Sequence, residues 1–395
     1  MENRTKSLLS LLIIVFFFGC SPKEELPWYK GNLHTHTYWS DGDAFPEMVL
    51  DWYKSNGYQF VALSEHNIIA NVEKWKKIPK SVIYRKGFDD YLKKYGQDWV
   101  DYKDDTSGIS VKLKTAAEYL PLFEEEGVFS ILKAEEITDS FEGKPLHMNA
   151  TNVQSLIKPR HGGSVVETLQ NNINAVLEQR EETGEPIMPH INHPNFGWGI
   201  SVDDMKALRG ERFFEVHNGH PGVRNYGDAT HISTEETWDQ INIAYLERGQ
   251  PIMYGLGTDD SHHYHKFGPQ FSNSGRGWVM VQSKSLDPAD LILAMEAGQF
   301  YASSGVTFKQ LTQNNSKIEL EVAAAPGVQY TIEFIGAKKG AAQSEVFETV
   351  NGISASFNLT SEMLFVRAKI TSTRVQENPF QEGDFESAWT QPISK

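Results

Sequence analysis

Two hydrophobic rhythms divide the chain. From Tyr29 to Ser303, short apolar runs alternate with stretches whose apolar positions recur at helical spacing, the pattern of an α/β domain with parallel strands. Apolar runs predict strands at Asn32 to His36, Phe60 to Glu65, Val128 to Thr138, His147 to Val153, Ile187 to His193, Phe213 to Asn218 and Ile252 to Asp260. Punctuating residues bracket the helices between them. Pro46 and Gly57 frame one, a Ser164/Glu167 capping box opens a second that runs to about Thr183 before Gly184, and Asp287-Pro288 with Gly298 frames a third. Residues 70–127 break the rhythm, separating two strands by more than a helix needs, and read as an insertion: a lid or substrate wall, or a surface elaboration. From about Thr307 the pattern becomes strict alternation, as in Lys317 to Val322 and Leu364 to Ile370. It predicts a small antiparallel β domain over 307–395, a sandwich packed on the first domain.

The amino terminus stands apart from this pattern. Arg4 and Lys6 precede an apolar run from Leu8 to Phe18 that is short for a membrane span, and Gly19-Cys20 follows. Phe17-Phe18-Gly19-Cys20 resembles a bacterial lipobox, which implies a signal peptide over 1–19, a tether over 20–28 and membrane attachment only through lipid on Cys20. Lys23-Glu24-Glu25 resembles the short acidic signal of surface lipoproteins. The expected location is the outer membrane, facing the cell surface or the periplasm. Cys20 is the only cysteine, which excludes an intrachain disulfide and any multi-thiolate metal site. A formal net charge of -15 argues against nucleic acid as a partner, since that affinity is built from Lys and Arg. Bound divalent cations would reverse the sign locally, which keeps a small anionic substrate open.

Histidine placement sharpens the picture. All thirteen histidines fall between His34 and His265, outside the alternating region. Those that carry chemistry cluster at predicted strand ends: His34 and His36 at the first, His66 after the second, His147 opening the fourth, His193 ending the fifth and Asp260-Ser261-His262 after the seventh. Glu135-Glu136 lies late in the third. In a barrel of parallel strands such ends open onto one face, so groups distant in sequence converge. Residues two apart on a strand share a face, which lets His34 and His36 reach one ion. Neutral imidazoles with carboxylates suit zinc, manganese or iron. A lone strand histidine is usually a hydrogen-bonded core residue; two His/Asp pairs with intervening His and Glu are not read that way.

His34-Thr35-His36, Ser64-Glu65-His66, Ala134-Glu135-Glu136, His193-Pro194 and Asp260-Ser261-His262 resemble the motifs of the polymerase and histidinol phosphatase (PHP) superfamily over roughly residues 29–305. The Gly-Asn-Leu-His-Thr-His, Ser-Asp-Gly and Asp-Asp-x-His stretches are similar to its carbaryl-hydrolase-like branch. The resemblance implies a distorted seven-stranded (β/α)7 barrel holding two or three divalent ions. By motif, His34, His36, Glu136 and Asp260 would hold the first ion, and Glu136 would bridge to a second held by His147 and His193. Asp41, His66 and His262 would hold the third. Asp41 stands where many members have His, and Glu65 stands where Asp is usual.

His217, at the end of the sixth strand, is a candidate proton donor or a packed residue. Arg276 is a candidate for fixing a phosphate or carboxylate, or a surface ion pair. Arg160 to Ser164, leading into a helix, reads as a turn and cap or as an anion site, and His263 and His265 could shape a pocket mouth. The expected chemistry is phosphoester hydrolysis by a metal-bridging hydroxide. The rivals are carbamate, ester or amide hydrolysis at the same metals, and a surface lipoprotein that binds glycan or a partner through the β domain over a metal-stabilised scaffold.

Overall fold

The structure, a computed structural model, describes residues 26–395; the signal peptide, Cys20 and the acidic signal lie outside the described residues. Seven strands carry the first domain: β1 (Trp28–Asn32), β2 (Phe60–His66), β3 (Ser130–Phe141), β4 (Lys144–Thr151), β5 (Met188–Ile191), β6 (Phe213–Asn218) and β7 (Tyr254–Thr258). They are hydrogen-bonded in chain order, but not all in parallel. β1, β2 and β3 run parallel, as do β5, β6 and β7, whereas β4 is antiparallel to both neighbours. The all-parallel expectation fails at one turn. Glu142 and Gly143, at φ 49° and 76°, form a two-residue hairpin between β3 and β4, which leaves no room for the crossover helix a parallel pair requires.

The strands curl until first and last meet at one end. Past β1 and β7, Thr35 bridges Ser261; the His36 N–H donates to the Ser261 carbonyl and the Asp260 N–H to the His34 carbonyl, each at 3.0 Å. These two bonds tie the ends that bear the metal motifs. Along its body β1 pairs instead with Trp278–Gln282, antiparallel. From that strand the sheet continues through Phe300–Ser303 and Phe385–Thr390 into Met363–Val375, Tyr330–Lys338 and Glu345–Asn351, so one 13-stranded sheet runs through both halves of the chain. Residue 307 is therefore no break in the sheet. A three-stranded sheet (Phe308–Asn314, Lys317–Val322, Ser354–Asn358) covers the carboxy-terminal strands. Ile318, Leu320 and Val322 pack there against Ile332, Phe334, Ala368 and Ile370, the inward residues of each alternation.

Helices form where the sequence punctuates them: Pro46–Ser55, Val165–Thr183 and Pro288–Glu296. Ser164 Oγ accepts the Glu167 N–H, but the Glu167 carboxylate turns to the Gly163 N–H (2.7 Å), so only half of the expected capping box is made. Among the described residues no helix is long and apolar enough to cross a membrane.

The insertion folds as a helix (Val82–Tyr95), a small three-stranded sheet and a second helix (Ala116–Phe123). It shares a core with Trp39, Phe45 and Tyr53, and its Tyr91 and Trp99 donate to the buried Glu47 carboxylate at 2.7 and 2.9 Å. Lys76 Nζ donates to the Ser40 carbonyl at 3.1 Å. The insertion thus buttresses the loop that carries Asp41 from behind.

Candidate metal centre

His34 and His36 lie just past β1, where the chain runs extended beside the segment after β7, so both side chains enter the closed end of the sheet. On β3 the period-two alternation separates two neighbours. Glu136 faces inward, while Glu135 accepts the Ile157 N–H at 2.6 Å and is pushed by burial up to about 7. After β7, Asp259 accepts the Arg276 and Gly277 N–H groups (2.6 and 2.9 Å) and the Tyr53 hydroxyl (2.8 Å), leaving Asp260 to face the centre. Two inward residues adopt left-handed backbone, His193 at φ 22° and Asp260 at φ 48°. Such conformations cost on the order of 1–3 kcal/mol each and persist where the surroundings impose them, commonly at functional sites.

Four ligand atoms converge at the base. His34 Nε2 and His36 Nε2 are 3.1 Å apart; Glu136 Oε2 lies 3.6 and 3.3 Å from them, and Asp260 Oδ1 lies 3.3 and 3.5 Å from them. Ligands about 2.0–2.1 Å from one ion in tetrahedral array stand roughly 3.3–3.4 Å apart, so His34, His36 and Glu136 form a group that could hold one small divalent cation, with Asp260 beside both imidazoles. The other Glu136 oxygen, Oε1, lies 3.0 Å from His147 Nδ1 and 3.6 Å from His193 Nε2, so one carboxylate faces two ligand groups. At the mouth, Asp41 lies 3.4 Å from His66 Nε2 and 3.3 Å from His262 Nε2. Asp41, His66, Glu136, His147, His193, Asp260 and His262 line a cleft of about 340 Å³, and His34 and His36 lie buried beneath it.

The ring nitrogens pointing away from the centre are held. His34 Nδ1 donates to Glu215 Oε1 at 2.7 Å and His262 Nδ1 to the Asp260 carbonyl at 2.9 Å; each bond fixes the tautomer that leaves Nε2 with its lone pair toward the centre. Glu215 is fully buried and also accepts the Thr258 hydroxyl, the His193 N–H and the Asn218 amide, each at 2.8 Å. Asn192 donates to Glu136 Oε1 at 2.8 Å, and Asn218 to Asp260 Oδ2 at 3.1 Å. Burial works to raise the Glu136 and Asp260 carboxyls, but the surrounding imidazoles hold both well below the usual carboxylate range. Burial and the neighbouring His262 push His36 down to about 3, the neutral form a ligand needs.

The donor set fits divalent ions on a further observation. Glu136 Oε2 is buried and accepts no hydrogen bond, although His66 Nδ1 lies 2.8 Å away, and no Lys or Arg lines the cleft among the described residues. Buried carboxylates without a fixed cation or donor are costly unless a metal neutralises them.

His217 and Arg276 do not line this cleft. His217 is buried with Nε2 3.0 Å from the Arg276 carbonyl and its ring stacked on Trp389. The Arg276 guanidinium is buried and donates to the carbonyls of Gly219, Gly268, Phe271 and Asn378, stapling three loops together rather than offering a hand to substrate. The Gly162-Gly163 turn caps its helix, and His161 Nδ1 pairs with Asp139 on the far face of β3. His263 lines the cleft, whereas His265 packs against Gly87 and Tyr84 of the insertion. Sequence reasoning passed over Glu215, Asn192, Phe196 and His220; the first two lie beside motif residues inside apolar runs, where polarity was the available signal.

No family model matches the chain, and no curated protein matches it. Solved structures give loose overlaps. A two-domain Bacteroides vulgatus protein containing a predicted PHP-like metal-dependent phosphoesterase is 12% identical, with 92% of this chain and 98% of that one covered, at a TM-score of 0.39. A Bifidobacterium adolescentis protein provisionally assigned as a metal-dependent phosphoesterase is 14% identical, with 63% and 94% covered, at 0.30. A Chromobacterium violaceum amidohydrolase with bound sulfate and no metal is 13% identical, with 59% and 87% covered, at 0.27. Overlaps this loose do not bear on function.

Proposed function

We propose that the chain is a metal-dependent hydrolase of the PHP type acting on small phosphoesters. The observation that carries this reading is the Glu136 carboxylate, which turns one oxygen to the His34, His36 and Asp260 cage and the other to His147 and His193. A bridging carboxylate between adjacent ligand groups suits a site of two or more ions. Zinc, manganese or iron bound there would lower the pKa of a coordinated water to about 7 and polarise the bond under attack. The residues do the rest. Asn192 and Asn218 fix the two central carboxylates, Glu215 holds His34 in its ligating tautomer, and the buried base under the cleft keeps bulk water from the inner ligands.

A phosphoester is favoured over an aryl carbamate by the cleft walls. Phe196 is the one apolar side chain among its lining residues, so an apolar leaving group gains little there, while an anion gains the ions themselves. The test is metal analysis of the purified protein, followed by turnover of p-nitrophenyl phosphate, its diester and an aryl carbamate with and without chelator. Two or three ions per chain and chelator-sensitive phosphoester turnover are expected. Carbamate turnover alone would move the assignment to the rival hydrolase, and a protein without bound metal or metal-dependent turnover would overturn it.

A further inference from the structure

Two kinds of histidine surround the centre, and their hydrogen bonds tell them apart. In His34 and His262 the Nδ1 atom donates to an oxygen, so the lone pair on Nε2 is free for a metal. In His220 the direction is reversed: the Gly222 backbone N–H donates to Nδ1 at 3.0 Å. A backbone amide can only donate, so Nδ1 is the acceptor and, in the neutral ring, Nε2 carries the proton. A nitrogen bearing a proton does not ligate a cation. It donates hydrogen bonds.

His220 lines the same cleft as the metal motifs, its ring edge-on to Phe196 at 5.8 Å and to His262 at 5.6 Å, and its Nε2 has no partner among the described residues. Its seat is close-fitting: a Cβ on Gly222 would stand 3.0 Å from His220 Nδ1 and Cε1 and 2.9 Å from Phe196 Cε2. With no Lys or Arg among the lining residues, an anion held at the ions needs its outward oxygens satisfied by neutral donors.

We propose that His220 is a substrate-binding residue that donates its Nε2–H to a non-bridging oxygen of the phosphoryl group, opposite the ions. This rests on the phosphoesterase reading above and assigns the outer contact of the same site. The reaction's balance is unchanged, because His220 keeps its proton throughout.

The metal-loaded protein, His220→Phe, His220→Gln and Gly222→Ala would be compared by metal content, by calorimetric binding of inorganic phosphate and by p-nitrophenyl phosphate kinetics. For His220→Phe we expect unchanged metal content, phosphate binding weaker by about ten- to a hundredfold, and kcat/KM lowered by about a hundredfold. His220→Gln, whose amide nitrogen replaces Nε2–H, should recover most of the loss. Gly222→Ala should show a smaller loss in the same direction, because it displaces the ring without removing it. Wild-type phosphate affinity that His220→Phe retains would overturn the assignment of His220 alone. Loss of metal in His220→Phe would make the residue a ligand, which also overturns it. A wild-type protein that holds its metals but neither binds phosphate nor turns over the ester would overturn the phosphoesterase reading, and this proposal with it.

Discussion

Where the helix Thr234–Glu247 meets the strand Met363–Val375, Arg367 donates to Asp239 at 2.7 and 2.9 Å and to Glu235 at 3.3 Å, and Lys369 reaches Glu235 at 2.6 Å. Two cations face two carboxylates there, Arg367 is 1% and Asp239 3% exposed, and the cluster closes on itself. At the mouth of the seven strands Glu136, Asp260 and Glu215 lie as deep but the composition differs: with the more exposed Asp41 they are surrounded by imidazoles and amides, with no Lys or Arg lining the cleft among the described residues. Burial is costly in both places, and the difference lies in who supplies the positive charge. The interface supplies its own and joins the two halves of the sheet. The mouth has no such cation of its own among the described residues, and its His, Asp and Glu groups stand where they could hold metal ions instead.

The largest effect should follow from breaking the mouth at its shared group. Glu136→Gln keeps the shape but removes the charge facing two ligand groups, and it should abolish turnover and lower metal content, well beyond the roughly 10–100-fold carried by outer partners. Circular dichroism should show the fold retained; full activity in this variant would sink the assignment of the centre. Next comes the interface. Arg367→Met leaves Asp239 and Glu235 buried without their guanidinium and should cost about 3–5 kcal/mol in chemical denaturation, with metal content and activity per folded molecule unchanged. Equal loss of metal would show that the two clusters are not independent.

Smaller still is the effect of the group behind His34. Glu215→Gln keeps an acceptor for Nδ1 but removes the charge that orients the imidazole, and metal affinity should fall about 10–100-fold in competition with a chelating dye. An unchanged affinity would mean that Glu215 serves folding alone.

The sequence made some of this legible and concealed the rest, for physical reasons. Helix ends were readable because Pro46, Asp287 and Gly184 act locally, and Phe213–Asn218 was readable because Phe213, Phe214 and Val216 make a short apolar cluster of strand-forming residues. Strand direction was not: an apolar run reads alike both ways, and the decisive signal was the Glu142-Gly143 turn between β3 and β4. The nine motif residues surround one cleft, six of them at or just past strand ends, where periodicity and punctuation are strongest, with Glu136 and His147 inside β3 and β4 and Asp41 in the loop after His36. Arg276 resisted the same reasoning. Its partners, Gly219, Gly268, Phe271 and Asn378, include carbonyls from segments far apart in the chain, and a backbone carbonyl leaves no mark in a sequence. The continuity of the sheet past residue 307 was hidden likewise, since alternation shows which face is buried and not which strand lies alongside.

The finest distinction between the two clusters is their response to pH. In the metal-free chain burial works to lower His66, but Glu136 and Asp41 outweigh it and hold the ring up to about 11; His34, His193 and His262 are raised by the same carboxylates or their neighbours. A raised folded pKa contributes stability that is fully present below the unfolded value near 6.5 and is lost as pH climbs through the folded one. The lowered carboxyls of Glu136 and Asp260 work the other way, contributing above their unfolded values of about 4 and losing that contribution on acidification. Metal-free protein should therefore be most stable at mildly acid pH and weaken as alkali strips protons from the imidazoles. Ions take the place of those protons, and their binding releases them. The gap in Tm between metal-loaded and chelator-treated protein should accordingly widen from roughly pH 6 to pH 9, and the same widening should appear in Arg367→Met, whose altered cluster lies elsewhere. A gap that stays constant or narrows would mean that the imidazoles at the mouth do not stand in for the missing cations, and the contrast between the clusters would fail at its most sensitive point.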